Sequence, residues 1–247
     1  MQGMKKIPII FLMGIFFIPA GLNALEPTLS RPLFEEAKEE IFRLNFEKAY
    51  GLLEKMMKEH PDSAYKEKGI VLKNILSLGQ MFSHLRLYSA YRMGSSLFAK
   101  ERNEKTLSPK ALFESHKKEY LKRTAKWAQR LKRDLKESFG IKKDVEIFLK
   151  YPGTEELPLF IQSGVDSIEN IRQGIAPTPS QVQNIETKET YLGVLSVLAL
   201  SLQRDLDPPE ETFVIGGKIQ LKTLIHYSNL WLDKVSDLTG GEDETLL

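Results

Sequence analysis

A chain of 247 residues with 42% hydrophobic and 28% charged residues and a formal net charge of +2 has the composition of a globular protein. This excludes wholesale disorder and a polytopic membrane protein. Cysteine is absent, which removes disulfides, thiol nucleophiles and thiolate metal sites.

The N-terminus reads as a secretory signal peptide. Lys5 and Lys6 form a positive n-region, Ile7 to Leu22 an apolar stretch, and Pro19-Ala20-Gly21 breaks any helix before Leu22-Asn23-Ala24. Cleavage is expected after Ala24, leaving 25–247 as an exported chain, periplasmic or secreted. The alternative is an uncleaved N-terminal membrane anchor, although the apolar run is shorter than the ~20 residues that span a bilayer. What remains is long enough for one well-cored domain or two small ones. A cysteine-free exported chain suits a bacterial periplasm or cell surface.

Helix signals dominate the rest. Ser30, followed by Pro32, predicts a helix to about Leu44, and Asn45 predicts a cap for Phe46 to Glu59, which stops before Pro61. From Tyr65 to Leu97 apolar residues recur at helical spacing, predicting one long helix or a break near Ser77–Gln80. Ser108-Pro109 predicts a helix start and Gly140 its stop, with Phe113, Tyr120, Trp127, Leu131 and Leu135 on one face. Val145, Ile147 and Phe148 are read as a short helix and Thr154 as the cap of a helix to Gln173, closed by Gly174. Residues 174–187 read as a loop, and Tyr191 to Leu202 as a buried core helix. Asp207-Pro208-Pro209-Glu210 resembles a capping box. A last helix is expected to carry Phe213, Gly217, Leu221, Leu224, Tyr227, Trp231, Val235 and Leu238. No strand is expected, so the fold class is all-α.

One stretch carries more than periodicity. Between Phe34 and Ala64, Ala37 and Ala49 lie twelve residues apart, Leu53 follows Ala49 by four, and Pro61 closes the unit. Gly69 falls thirty-two residues after Ala37. This resembles a tetratricopeptide repeat, whose period is about 34 residues and whose helices cross at small residues. The resemblance covers about thirty residues, with Glu40 where the family usually has an aromatic. It implies helix hairpins stacked as a tetratricopeptide-like or irregular α-solenoid or helical bundle. It further implies a non-catalytic scaffold whose concave face, here on the Ser30–Leu97 helices, holds a peptide or partner protein. Ala37, Ala49, Leu53, Pro61 and Gly69 would be its packing residues.

Catalytic and metal motifs are missing. His60, His84, His116 and His226 form no i, i+4 pair, and neither a Gly-x-Ser-x-Gly elbow nor a phosphate loop occurs. Gly216-Gly217-Lys218 reads as a close helix crossing. Glu155/Glu156 and Glu210/Glu211 read as first-turn carboxylates that offset a helix dipole. Tyr88, Tyr91, Trp127 and Trp231 lie on apolar stripes and read as core. No cofactor, metal or nucleic-acid partner is expected.

Charge is distributed unevenly. Residues 100–143 hold fifteen basic and six acidic residues, and residues 144–247 seven and seventeen. Lys117, Lys118, Lys122, Arg123, Lys126, Arg130, Lys132, Arg133 and Lys136 cover most of the polar surface of one helix. They read either as a solvated face balanced by the acidic C-terminal half or as a patch for an anionic surface. The expected organisation is 1–24 signal peptide, 25–150 tetratricopeptide-like helices with the long basic helix, and 151–247 a helical region packing on it. The expected function is an exported scaffold for protein–protein interaction. The alternative is a peripheral protein that binds an anionic membrane surface through 117–136.

Overall fold

The computed structural model describes residues 26–101, 107–150, 157–202 and 214–239. Among these residues the order is α1 (Glu26–Phe42), α2 (Phe46–Glu59), α3 (Lys66–Glu101), α4 (Leu107–Ser138), β1 (Val145–Lys150), α5 (Leu157–Arg172), α6 (Pro179–Ser201), β2 (Val214–Ile219) and α7 (Leu221–Thr239). The chain is mostly helical, in keeping with the all-α expectation. The expected signal peptide and its cut after Ala24 lie outside the described residues, as do Thr154 and the Asp207–Glu210 segment. No described helix is long and apolar enough to cross a membrane.

The α3 helix is the shaft of the structure. It runs 36 residues without a break, and from Gly69 to Met81 every residue is buried. No single apolar stripe could do this, because the helix is surrounded. It touches α2, α4, α5, α6, α7 and β1. The polar residues on it must therefore find partners inside. Asp134 of α4, fully buried, meets two of them, Lys73 and Ser77, together with Tyr50 of α2. It accepts hydrogen bonds from Tyr50 at 2.9 Å and Ser77 at 2.7 Å, and lies 3.2 Å from the Lys73 ammonium.

Two apolar clusters hang on this shaft. The larger joins α1, α2, the first half of α3, the second half of α4, both strands, α6 and α7. The smaller gathers Leu87, Ala90 and Tyr91 with Phe113, Tyr120, Ile168, Ile171 and Ile185.

Helices α1 and α2 form the expected antiparallel hairpin, with Ala37, Ala49 and Leu53 all at 0% exposure. Their link is a tight turn with Leu44 at φ 63°, where Leu44 N–H donates to Ile41 and Asn45 N–H to Glu40. Asn45 does not cap α2 with its side chain. Its amide instead donates to Glu40 Oε2 at 2.7 Å, and Lys48 reaches the same carboxylate at 2.9 Å. Glu40 thus ties the end of α1 to the start of α2. Ser30 also departs from the expected cap. It sits inside α1, buried, accepting a hydrogen bond from Ser63 at 2.7 Å.

The helical expectation fails over 145–150 and 214–219, which pair as antiparallel β1 and β2 from Val145↔Ile219 to Lys150↔Val214. The reason is a period of two. Val145, Ile147 and Leu149 are buried, while Glu146 and Phe148 face solvent. Gly216 and Gly217, expected at a helix crossing, lie in β2 with φ 149° and 147°, open only to glycine. A Cβ on Gly216 would collide with the Ile147 carbonyl. The last helix accordingly starts at Leu221.

The loop expected over 174–187 is also shorter. Gly174, φ 81°, closes α5 as expected, but α6 starts at Pro179, with the Gln181 side chain accepting from Thr178 N–H at 2.8 Å. The sequence Thr178-Pro179-Ser180-Gln181 carries that capping signal openly.

Candidate functional site

A cleft of about 1000 Å³ opens where the α1–α2 turn meets the middle of α3, α4 and α6. Leu44 to Lys48 form one lip, with Glu119, Lys122, Arg123 and Lys126 of α4 opposite. Gln80 and His84 of α3 form part of its wall, with Glu186, Thr187 and Thr190 of α6 beside them.

The helices come together here because two glycines allow it. A Cβ on Gly79 of α3 would stand 2.7 Å from Val194 Cα, and one on Gly193 of α6 would strike the Gly79 carbonyl. This backbone-to-backbone crossing sets Ser83 against Thr190, 3.2 Å apart, and brings Glu186 to His84.

His84 is 3% exposed, and neither ring nitrogen has a hydrogen-bond partner. Its Nε2 stops 3.6 Å from Glu186 Oε1, beyond hydrogen-bonding reach. Its ring stacks on Tyr120, centroids 6.0 Å apart, and Tyr120 stacks on Tyr91 at 5.6 Å. Glu186 also contacts the Arg123 guanidinium and receives the Tyr120 hydroxyl at 3.4 Å. Burial pushes the Glu186 carboxyl upward, but His84 and the Arg123 charge outweigh it and hold it below the ordinary carboxylate range. Burial raises both tyrosine hydroxyls, with Glu186 adding to the effect, so they remain neutral donors. Burial, then the Arg123 charge, lowers His116, which lies against Tyr91. The arrangement offers a buried imidazole beside an ionised carboxylate, with cations at a water-accessible mouth. It positions no nucleophile against a base. No described group of three or more histidines, aspartates or glutamates could hold a metal ion.

Comparison with protein-family models, curated proteins and solved structures finds no match.

The residues expected to matter fall into two sets. Ala37, Ala49 and Leu53 lie inside the hairpin, Gly69 is buried against Met56 and Met57, and Pro61 sits in the exposed turn after α2. They pack and do not line the cleft. The basic residues of α4 divide. Arg130 reaches Glu47 at 2.7 Å, Lys126 the same glutamate at 3.6 Å, and Arg133 meets Glu54 at 2.7 Å. Lys117 pairs with Glu114 at 2.5 Å and Arg123 with Glu119 at 2.7 Å. The balancing carboxylates thus come from α2 and α4 itself as well as Glu186 of the acidic C-terminal half. Lys118, Lys122, Lys132 and Lys136 are exposed and make no ion pair among the described residues. Lys122 belongs to both the unpaired stripe and the cleft. His84 and Glu186 were missed because they lie 102 residues apart, with no local signal joining them.

Proposed function

We propose that the chain is an exported, non-catalytic helical scaffold that holds an acidic segment of a partner protein in the cleft between the α1–α2 turn, α4 and α6. The observation that carries this reading is His84, buried in the cleft wall, whose Nδ1 has no hydrogen-bond partner and whose Nε2 has only Glu186, 3.6 Å away. A buried polar group without a partner costs about 1–3 kcal/mol, and a bound donor or acceptor would recover that cost. Lys122 and the neighbouring unpaired lysines would draw acidic residues to the mouth. The tetratricopeptide-like hairpin supplies one lip, consistent with scaffolds of that kind.

Photo-cross-linking tests this directly. A photoreactive residue at Thr187 or Gln129, both on the cleft, is expected to capture one protein in the cell envelope. The same residue at Lys55 or Lys222, exposed elsewhere, is expected to capture none. Loss of the adduct in His84→Ala with unchanged folding supports the cleft. Equal capture from all four positions refutes it.

A second reading, peripheral association of α4 with an anionic membrane, draws on Phe139. It is 68% exposed at the end of α4, with Lys136, Lys142 and Lys143 nearby in the chain. Binding to anionic vesicles that is lost in Lys132→Glu/Lys136→Glu, without cross-links from the cleft, would favour it.

A further inference from the structure

On the opposite side of α3, two adjoining hollows share Phe82, Arg86 and Trp231. They follow α3 from Leu78 to Arg92 while α7 advances beside it from Tyr227 to Leu238. At 1.5 Å rise per residue this groove is roughly 20 Å long.

Its two ends differ in chemistry. The first, about 310 Å³, is walled by Leu78, Val197, Leu200, Tyr227 and Leu230, with Leu200 and Leu230 at 50% and 39% exposure. The serines there are already satisfied. Ser196 donates to the Leu192 carbonyl and Ser201 to the Val197 carbonyl, each at 2.7 Å. A peptide backbone laid in this end would find few polar partners for its own amides. An alkyl chain needs none. The second hollow, about 480 Å³, gathers Arg86, Arg92, Arg172 and Lys234 against a single acidic lining residue, Asp237.

These cations are only partly matched within the fold. Arg86 lies 3.3 Å from the buried Glu189 carboxylate, yet neither Glu189 oxygen has a hydrogen bond. Arg172 meets Glu169 at 3.6 Å through one terminal nitrogen, but its buried Nε has no hydrogen-bond partner. Arg92 and Lys234 make no ion pair among the described residues, and Lys234 lies over the Trp231 ring at 4.4 Å. An anion is called for at one end and an apolar chain at the other.

We infer that this groove binds a single long-chain fatty acid, its carboxylate among Arg92, Arg172 and Lys234 and its alkyl chain along Phe82 and Trp231 toward Leu200. The 310 Å³ apolar end, at the lower limit of ligand pockets (about 300–1,000 Å³), suits one chain and not two. Each methylene buried should strengthen binding about fourfold. This site is separate from the cleft proposed above.

The chain contains two tryptophans, Trp127 at the cleft and Trp231 in the groove, so quenching can locate the ligand. Titration with 9,10-dibromostearic acid, kept monomeric, is expected to quench tryptophan emission, and Trp231→Phe to remove most of that quenching. Arg92→Glu/Lys234→Glu, at exposed positions, is expected to weaken binding at least tenfold with an unchanged unfolding temperature. Leu200→Arg should weaken it similarly from the other end. Dibromostearate methyl ester should bind wild type more weakly and be indifferent to the charge reversal. Quenching that survives Trp231→Phe, an ester that binds as tightly as the acid, or binding only to phosphatidylglycerol vesicles would each overturn the inference.

Discussion

Replacing Gly79 by alanine should destabilise the protein by an amount set by the α3–α6 crossing. The new Cβ would stand 2.7 Å from Val194 Cα and 2.8 Å from Val194 N. Ordinary carbon contacts lie at about 3.5–4.0 Å, so the two backbones must part by roughly 1 Å. No flexible side chain can absorb this, because two of the colliding atoms are backbone. Overpacking of this kind costs about 1–3 kcal/mol, and the upper end applies. Alanine recovers about 1 kcal/mol of helix propensity, leaving a net loss near 2 kcal/mol. For a chain of this size that lowers Tm by about 4–8 °C. Gly51 provides the control, since it is helical and exposed and a Cβ there meets nothing within 4 Å. Gly51→Ala should therefore gain about 0.5–1 kcal/mol. Urea and thermal unfolding of both variants decide the matter. A Gly79→Ala protein as stable as Gly51→Ala would mean that the helices do not cross at backbone contact.

Asp134→Ala should cost about 3–5 kcal/mol by leaving the Lys73 ammonium, 2% exposed, without its nearest carboxylate. The joint replacement Lys73→Met/Asp134→Leu should cost less than the single change when both are compared by denaturant unfolding. Hydrogen bonds from Lys48 and then Asn45 hold the Glu40 carboxyl down at about 2, from an ordinary 4.5. Because the folded value is depressed, its contribution is complete above about pH 4.5 and fades as the pH falls toward 2. The Tm gap between wild type and Glu40→Gln should thus be open at pH 6 and closed near pH 2; a gap independent of pH would contradict it. Glu189 behaves oppositely, since burial raises its carboxyl despite Arg86 and Arg172. Folding then favours the protonated form, stability falls as the pH rises, and Glu189→Gln should raise Tm at pH 8 more than at pH 4.

Helices whose start, stop and apolar face are encoded within a turn or two were legible in the sequence. The α1–α2 hairpin, the Gly174 stop and the buried stretch from Tyr191 were of this kind. The strands were legible in part and overlooked, because Val145, Ile147 and Leu149 alternate with outward residues in a segment of only six. Their pairing was not, since nothing near Val145 announces Ile219. The cleft was illegible for the same reason. Lys122 stood out by composition, whereas His84 and Glu186 acquire meaning only when two glycines let α3 and α6 touch. Buried polar residues such as Lys73 and Asp134 likewise read as surface until a surrounded α3 requires them to meet.

The antiparallel pairing of β1 with β2 also has a bearing on the order of events at synthesis. Val145 and Ile219 are 74 residues apart. At about 5–20 residues per second, β1 waits roughly 4–15 s on the ribosome for its partner. During that interval Val145, Ile147 and Leu149 present an unpaired apolar edge of the kind that recruits other strands. The nascent chain is therefore most exposed to aggregation after β1 has been made and before Val214–Ile219 emerges. A cell that makes it must shield that edge until β2 arrives.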